Sequence, residues 1–186
     1  RAYGEDPKLS RDYGRIVNEM HHDRLTALIK PEEVEYGGIT DRESKYISPT
    51  LVKVDSLDHP LMKEEIFGPI LPIMTFRTEN EMDSVLRSLE RPLAFYLFTD
   101  DKDKKERYLR DYSFGGGCVN DCVLHFGNLN IPFGGIGASG MGAYHGKYSF
   151  DTFSHLKGII KKPFAFDIPF RYAPYKGKIG LIRRIL

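Results

Sequence analysis

The sequence has no tryptophan, only two cysteines, no long apolar run and almost no net charge. Each shortage excludes a class of protein. Without about eighteen consecutive apolar residues there is no candidate membrane-spanning helix, and the opening Arg1-Ala2-Tyr3-Gly4-Glu5-Asp6 lacks the pattern of a secretory leader; the expectation is a soluble, cytoplasmic protein. Cys118 and Cys122 fall in a stretch that reads as one strand, where four residues span about 13 Å, beyond the reach of a disulfide. Both are expected to be reduced, buried and small. Two cysteines with no histidine pair at ligand spacing cannot build a structural zinc site, so no metal is expected. A balance of 27 Lys and Arg against 26 Asp and Glu, intermixed along most of the chain, lacks the electrostatic footprint of a nucleic-acid binder.

What is present suits a soluble globular domain: 186 residues, 41% hydrophobic and 28% charged, enough to bury a core. The chain opens without methionine inside what reads as a structured segment, as a piece of a longer protein would.

Periodicity supplies the elements. Asn18 caps a helix in which Met20, His21, Leu25, Leu28 and Ile29 recur at steps of three and four. His21 and His22 are neighbours on it, point roughly 100° apart, cannot share a metal, and read as helix surface. Residues 34–36 read as a short strand before a Gly37-Gly38 turn, and 46–54 as a strand interrupted by Pro49. The apolar run 71–76 predicts a strand covered on both faces. Thr78 and Glu81 form a capping box for a helix with Met82, Val85, Leu86 and Leu89 on one face. A buried strand over 93–99, a charged helix over 100–112 with Tyr108 and Leu109 towards the core, and a strand over 115–124 follow. Alternating strands and helices with short connections predict an α/β fold of parallel βαβ units, whose ligands bind at the carboxyl ends of strands.

Two stretches carry candidate chemistry. On composition alone, Glu64-Glu65-Ile66-Phe67-Gly68-Pro69 reads first as a surface turn, but a carboxylate able to accept two hydroxyl hydrogen bonds stands two positions from a flat ring, the makings of a grip on a nucleotide sugar. Gly135, Gly137 and Gly140 satisfy G-x-G-x-x-G, but Pro132 and a polar loop precede them, and the nearest later acid, Asp151, falls in a helical stretch over 144–153. The dinucleotide fingerprint requires a strand directly in and a helix directly out, so these glycines read as a tightly folded wall. Beyond it, 155–162 predicts a strand, 163–186 an aromatic tail, and 179–186 a basic amphipathic end expected to dock on its own protein or a partner subunit rather than on a membrane.

Glu64 to Pro69, Pro132-Phe133-Gly134-Gly135 with Ser139-Gly140, and Tyr144-His145-Gly146-Lys147 with Phe150, Thr152, Phe153, Ser154 and His155 together resemble the carboxyl-terminal half of a NAD(P)-dependent aldehyde dehydrogenase, of the class 3 or fatty-aldehyde branch. Tyr3-Gly4-Glu5-Asp6 and Ser10-Arg11-Asp12-Tyr13-Gly14-Arg15-Ile16 are similar to that branch too, and the resemblance covers residues 1 to about 173. It implies an incomplete catalytic domain over 1–154, an oligomerisation strand over 155–162 and a tail over 163–186. The family oxidises aldehydes to carboxylic acids through a cysteine thiolate, hydride transfer to nicotinamide and a glutamate base.

The resemblance further implies that Glu65 holds the nicotinamide ribose hydroxyls and Phe67 packs beside the nicotinamide. By the same resemblance Phe133 stands in the aldehyde funnel, and Asn120, Val123, Phe126 and Gly127 line the strand end and substrate tunnel. It assigns no catalytic residue here, since the family's nucleophile, base and main NAD or NADP site lie before residue 1. The implied partners are an aldehyde, the nicotinamide cofactor and a second subunit in a homodimer. The alternative is a non-catalytic assembly domain of the same fold, which a start codon just upstream of Arg1 would favour.

Overall fold

The structure, a computed structural model, describes residues 2–167 and 171–184, in two units, 1–88 and 89–186. In the first, a 3-10 turn at Pro7–Leu9 precedes helix α1 (Glu19–Thr26), strands β1 (Val34–Tyr36), β2 (Thr40–Asp41), β3 (Tyr46–Ile47), β4 (Thr50–Lys53) and β5 (Ile70–Ile73), and helix α2 (Glu79–Ser88). Asn18 caps α1 as expected, its side chain accepting from the His21 amide at 2.8 Å. β4 pairs antiparallel with β1 and parallel with β5, while β2 and β3 form a separate antiparallel pair.

Pro49 explains why the expected strand 46–54 becomes two. Proline has no N–H for a ladder, and β3 pairs with β2 while β4 joins the three-stranded sheet. Leu25, Ile47, Val52, Val54, Leu61 and Ile70 make one apolar cluster beneath that sheet and α1.

Three expectations fail in this unit. His22 is only 3% exposed and its Nε2 meets the Tyr46 carbonyl oxygen at 3.2 Å, so one of the two adjacent histidines belongs to the interior. Met20, assigned to the apolar stripe, faces outward. The strand expected over 71–76 is shorter, and Leu71 is 58% exposed, so it is not covered on both faces in this chain.

The second unit contains β6 (Ala94–Leu97), α3 (Lys102–Asp111), β7 (Gly116–Val119), α4 (Leu124–Gly127), α5 (Gly146–Thr152) and α6 (Ile179–Ile182). β6 and β7 are parallel, with Ala94 opposite Gly116 and Leu97 opposite Val119, and α3 is the crossover between them, the βαβ unit the pattern predicts. Asp101 caps α3 by accepting from the amides of Asp103 and Lys104 at 3.0 Å each. Tyr108 is buried on α3 as expected, whereas Leu109 is exposed.

The strand expected over 115–124 stops at Val119, because Asn120 and Val123 take φ of 57° and 66° and turn the chain out of the sheet. Cys118 therefore stays on the strand, half-buried, while Cys122 lies beyond it and is exposed; the reading of both as buried strand residues is corrected. Residues 155–162 form no strand in the single chain and are exposed. Among the described residues, no helix is long and apolar enough to cross a membrane.

Candidate functional site

The loop over 64–69 is built by α1 and the entry to β5. Phe67 has φ of 51°, left-handed backbone that costs a residue with a Cβ roughly 1–2 kcal/mol. Its neighbours over-determine that conformation. His21 Nε2 donates to the Phe67 carbonyl oxygen at 2.8 Å, Arg24 Nη2 donates to the Ile66 carbonyl oxygen at 2.5 Å, and Arg24 Nε donates to His21 Nδ1 at 3.3 Å. Glycine is required next: a Cβ at Gly68 would come within 2.5 Å of the Leu25 side chain, itself fully buried. The Thr50 amide then anchors the Pro69 carbonyl at 2.9 Å. The exposed pair Arg24–Glu64 at 4.0 Å adds little.

Upstream, His59 braces the same segment. Its Nδ1 accepts from the Leu61 amide at 3.1 Å and its Nε2 meets Glu33 at 2.9 Å. That hydrogen bond, with a second from Lys30, holds the Glu33 carboxyl below the usual 4.5.

The result is a fixed loop that turns its chemistry outward. Phe67 is 70% exposed. Glu65 is exposed and has no hydrogen-bond or ion-pair partner among the described residues. A carboxylate with both oxygens open can accept from two adjacent hydroxyls, and a bare ring beside it offers a stacking face. Strain held at an outward-facing loop is the arrangement that points to a binding role.

In the second unit the expected pocket residues divide. Asn120 ties the strand ends together: its side-chain oxygen accepts from the Thr99 amide at 2.8 Å and its amide nitrogen donates to the Thr99 carbonyl at 2.9 Å, while its own amide donates to the Leu97 carbonyl at 2.8 Å. It closes the carboxyl ends of β6 and β7. The one-turn helix α4 then sends His125 inward and leaves Val123, Leu124 and Phe126 exposed. Val123, Phe126 and Gly127, with Cys122, Leu124 and Asn128, line an open groove of about 550 Å³.

Phe133 stands next to this group, its ring 5.0 Å from Phe126 edge to face, 5.6 Å from Tyr144 and 5.9 Å from the stacked His145 ring. Phe133 and Tyr144 exchange both backbone hydrogen bonds, at 3.0 and 2.9 Å, and so close the glycine-rich loop at its base. Within it a Cβ at Gly135 would lie 2.1 Å from the Ser139 carbonyl oxygen, and Gly137 bridges Gly140. No helix leaves the glycines directly, since α5 begins at Gly146. The loop is the folded wall its sequence suggested, not a dinucleotide fingerprint.

His125 and His145 are buried, and sequence reasoning missed them both as site residues. His125 Nδ1 lies 3.6 Å from Cys118 Sγ, and its Nε2, like Nδ1 of His145, has no hydrogen-bond partner among the described residues. His145 was visible only within a motif, and its φ of 92° is legible only in three dimensions. His21 reads as helix surface in the sequence, because nothing local marks it, or Arg24 one turn on, as holding a loop more than forty residues away. Among the described residues no cluster of metal-ligating side chains forms. Glu65 and Phe67 belong to the first unit, and the apolar group to the second.

Residues 3–159 match the aldehyde dehydrogenase family. An Arabidopsis thaliana protein, aldehyde dehydrogenase family 3 member H1, is 47% identical over 191 residues, which span all of this chain and 40% of the relative. A Bos taurus protein named aldehyde dehydrogenase, dimeric NADP-preferring, is 43% identical over 161 residues, 87% of this chain and 67% of the relative. The substrate-bound state of Staphylococcus aureus AldH superposes with a TM-score of 0.90 at 45% identity, covering 98% of this chain and 40% of that one.

Proposed function

The chain belongs to the aldehyde dehydrogenase family, and from that premise we propose that it is part of an NAD(P)-dependent enzyme of the class 3 branch that oxidises aldehydes to carboxylic acids. The chain supplies half of a cofactor clamp and one wall of a substrate tunnel. The observation that carries this reading is the outward, strained loop at Glu65 and Phe67, with its open carboxylate and exposed ring.

Those two residues fit a nicotinamide nucleotide. Glu65 would accept from paired ribose hydroxyls, and Phe67 would pack beside the nicotinamide ring. When bound, NAD or NADP supplies the hydride acceptor. Val123, Phe126 and Gly127, with Phe133 behind them, give an aldehyde an apolar surface that excludes water. Asn120 serves the tunnel indirectly, by fixing the strand ends from which α4 starts. The nucleophilic cysteine and general base are assigned to a part of the enzyme ahead of residue 1, and the reading includes a homodimer in the cytoplasm. It draws support from relatives of which one is named dimeric and NADP-preferring.

Two measurements test it. In the complete enzyme, Glu65→Gln should raise the KM for NAD(P), since an amide cannot accept from both hydroxyls with both its atoms. The isolated chain, given NAD(P) and medium-chain aldehydes, should make no NAD(P)H; sustained turnover by these 186 residues would overturn the assignment of nucleophile and base.

A further inference from the structure

We propose that Cys118 and His125 form a peroxide-reactive thiol–imidazole pair on the inner side of α4, a site separate from the cofactor clamp and from the nucleophile assigned upstream. Cys118 Sγ and His125 Nδ1 lie 3.6 Å apart, within the reach of a hydrogen bond to sulfur.

Packing aims the imidazole at that sulfur. Residues 116 and 118 share one face of β7, and His125 lies against it: a Cβ at Gly116 would come within 2.9 Å of His125 Cδ2, so the glycine leaves the ring its place. Tyr96 meets the ring edge to face at 5.7 Å, and Phe133 flanks it at 5.6 Å. His125 is only 6% exposed, and its Nε2 is buried with no hydrogen-bond partner among the described residues. The sulfur is the one hydrogen-bonding contact this ring makes there. A buried orphan of this kind costs about 1–3 kcal/mol, and a reactive centre is one of the few reasons for a native fold to hold it.

The imidazole takes the thiol proton while Sγ attacks one oxygen of a peroxide. The S–O bond forms as the O–O bond breaks, so sulfur is oxidised to sulfenic acid and the peroxide is reduced. Nδ1 then returns the proton to the leaving oxygen, and hydrogen peroxide departs as water. A small oxidant suits the site. Cys118 is half-buried and stands outside the groove lining, whereas Cys122 belongs to that lining, so a long aldehyde chain in the groove meets the other thiol. Cys122 is exposed, but its sulfur has no hydrogen-bond partner among the described residues, and the side chain next to it is the Asp121 carboxylate, which accepts from the Cys122 amide at 2.7 Å. One thiol has the access and the other has the base. Because His125 sits between Leu124 and Phe126 on α4, an oxygen added at Sγ also presses on the wall of the groove.

Trapping with dimedone, which captures sulfenic acid, tests the proposal in the whole chain treated with hydrogen peroxide. Mass spectrometry follows the peptide bearing each cysteine. A positioned base contributes about a hundredfold or more and half-burial takes part of that back, so Cys118 should label roughly tenfold faster than the more accessible Cys122. C122S should keep the fast labelling, and C118S should lose it. H125N keeps a hydrogen-bonding group near the place of Nδ1 but cannot take the proton, and should slow Cys118 by about a hundredfold while keeping the wild-type circular dichroism. Amide exchange over residues 124–127 should quicken once Cys118 is oxidised. Labelling of Cys122 ahead of Cys118, an undiminished Cys118 rate in folded H125N, or no labelling of Cys118 would overturn the proposal. If H125N loses its fold, the comparison of C118S with C122S decides alone. Unaltered exchange over 124–127 in the oxidised chain would overturn the link to the groove.

Discussion

His21 holds Phe67: its Nε2 donates to the Phe67 carbonyl oxygen at 2.8 Å, and its Nδ1 accepts from Arg24 Nε at 3.3 Å. The pair of bonds assigns the neutral tautomer with the proton on Nε2. A residue on α1 thereby fixes the backbone of the loop that carries Glu65, while Arg24 fixes the carbonyl one position earlier. The carboxylate itself stays unengaged, which is what a group reserved for a ligand requires.

Removing the imidazole should loosen the loop without unfolding the unit. His21→Ala forfeits the hydrogen bond to the loop, worth about 1 kcal/mol, together with the bond from Arg24 Nε, so amide exchange over residues 66–68 should quicken roughly fivefold or more. Hydrogen exchange followed by NMR measures it, with the Val52 and Ile70 amides as the internal reference. Unchanged exchange over 66–68 would show that Arg24 and Leu25 suffice.

Asn120 gives a prediction in which two substitutions must rank. Asn120→Ala loses both bonds to Thr99 and puts a methyl in left-handed backbone, for a combined cost of about 2–3 kcal/mol. Asn120→Gly loses the same bonds but tolerates φ of 57°, so it should be about 1 kcal/mol less damaging. Urea denaturation of the two variants decides the order. Wild-type stability in both would mean that the Thr99 bonds do not hold the strand ends.

Legibility in the sequence followed the range of the forces involved. The β6–α3–β7 unit was readable because strand composition, a charged helical stretch with Tyr108 on its inner side and short connections are local signals that agree. The Pro49 break was readable as a break, but not as a change of partner from one sheet to another. The end of β7 was not readable, since nothing local marks Val123 as a residue with positive φ. His22 looked like surface because its burial depends on the Tyr46 carbonyl, which only tertiary folding brings near. For the site, composition left Glu65 and Phe67 an ordinary turn; their assignment came from resemblance. The physical mark that sets them apart, a strained loop held from α1, exists only in the folded chain.

Gly135 separates a folded wall from a phosphate cradle. A Cβ there meets the Ser139 carbonyl oxygen at 2.1 Å, with the Gly140 nitrogen at 2.7 Å, and neither backbone atom can swing aside as a side-chain tip would. Gly135→Ala should destabilise the chain by about 1–3 kcal/mol, the usual cost of overpacking, and should shift the ring-current-sensitive signals of Phe133 and Tyr144. A variant with wild-type melting behaviour and altered NAD(P) affinity alone would instead support a cofactor role for the glycines.

Acid stability should depend on carboxylates of the first unit. Asp41 accepts from Lys8 at 2.7 Å and from the Ser44 hydroxyl at 2.6 Å, and these hydrogen bonds, Lys8 first, hold its carboxyl far below the usual 3.8. Asp23 is lowered in the same direction, chiefly by Arg42 at 2.9 Å. A carboxyl whose pKa is depressed by folding is protonated first in the unfolded chain as pH falls. Its contribution is therefore complete above the unfolded value and drains away below it, towards the folded value. The urea midpoint should stay level from neutral pH down to about 5 and decline below about 4. In the double variant D23N/D41N the neutral-pH midpoint should be lower and the decline shallower, because two of the groups that release stability on protonation are gone. Both carboxylates are solvent-exposed in part, so raised salt should reduce the difference between variant and wild type. An undiminished acid decline in the double variant would move the acid sensitivity to other groups, with Glu33 and its His59 contact at 2.9 Å the next to substitute.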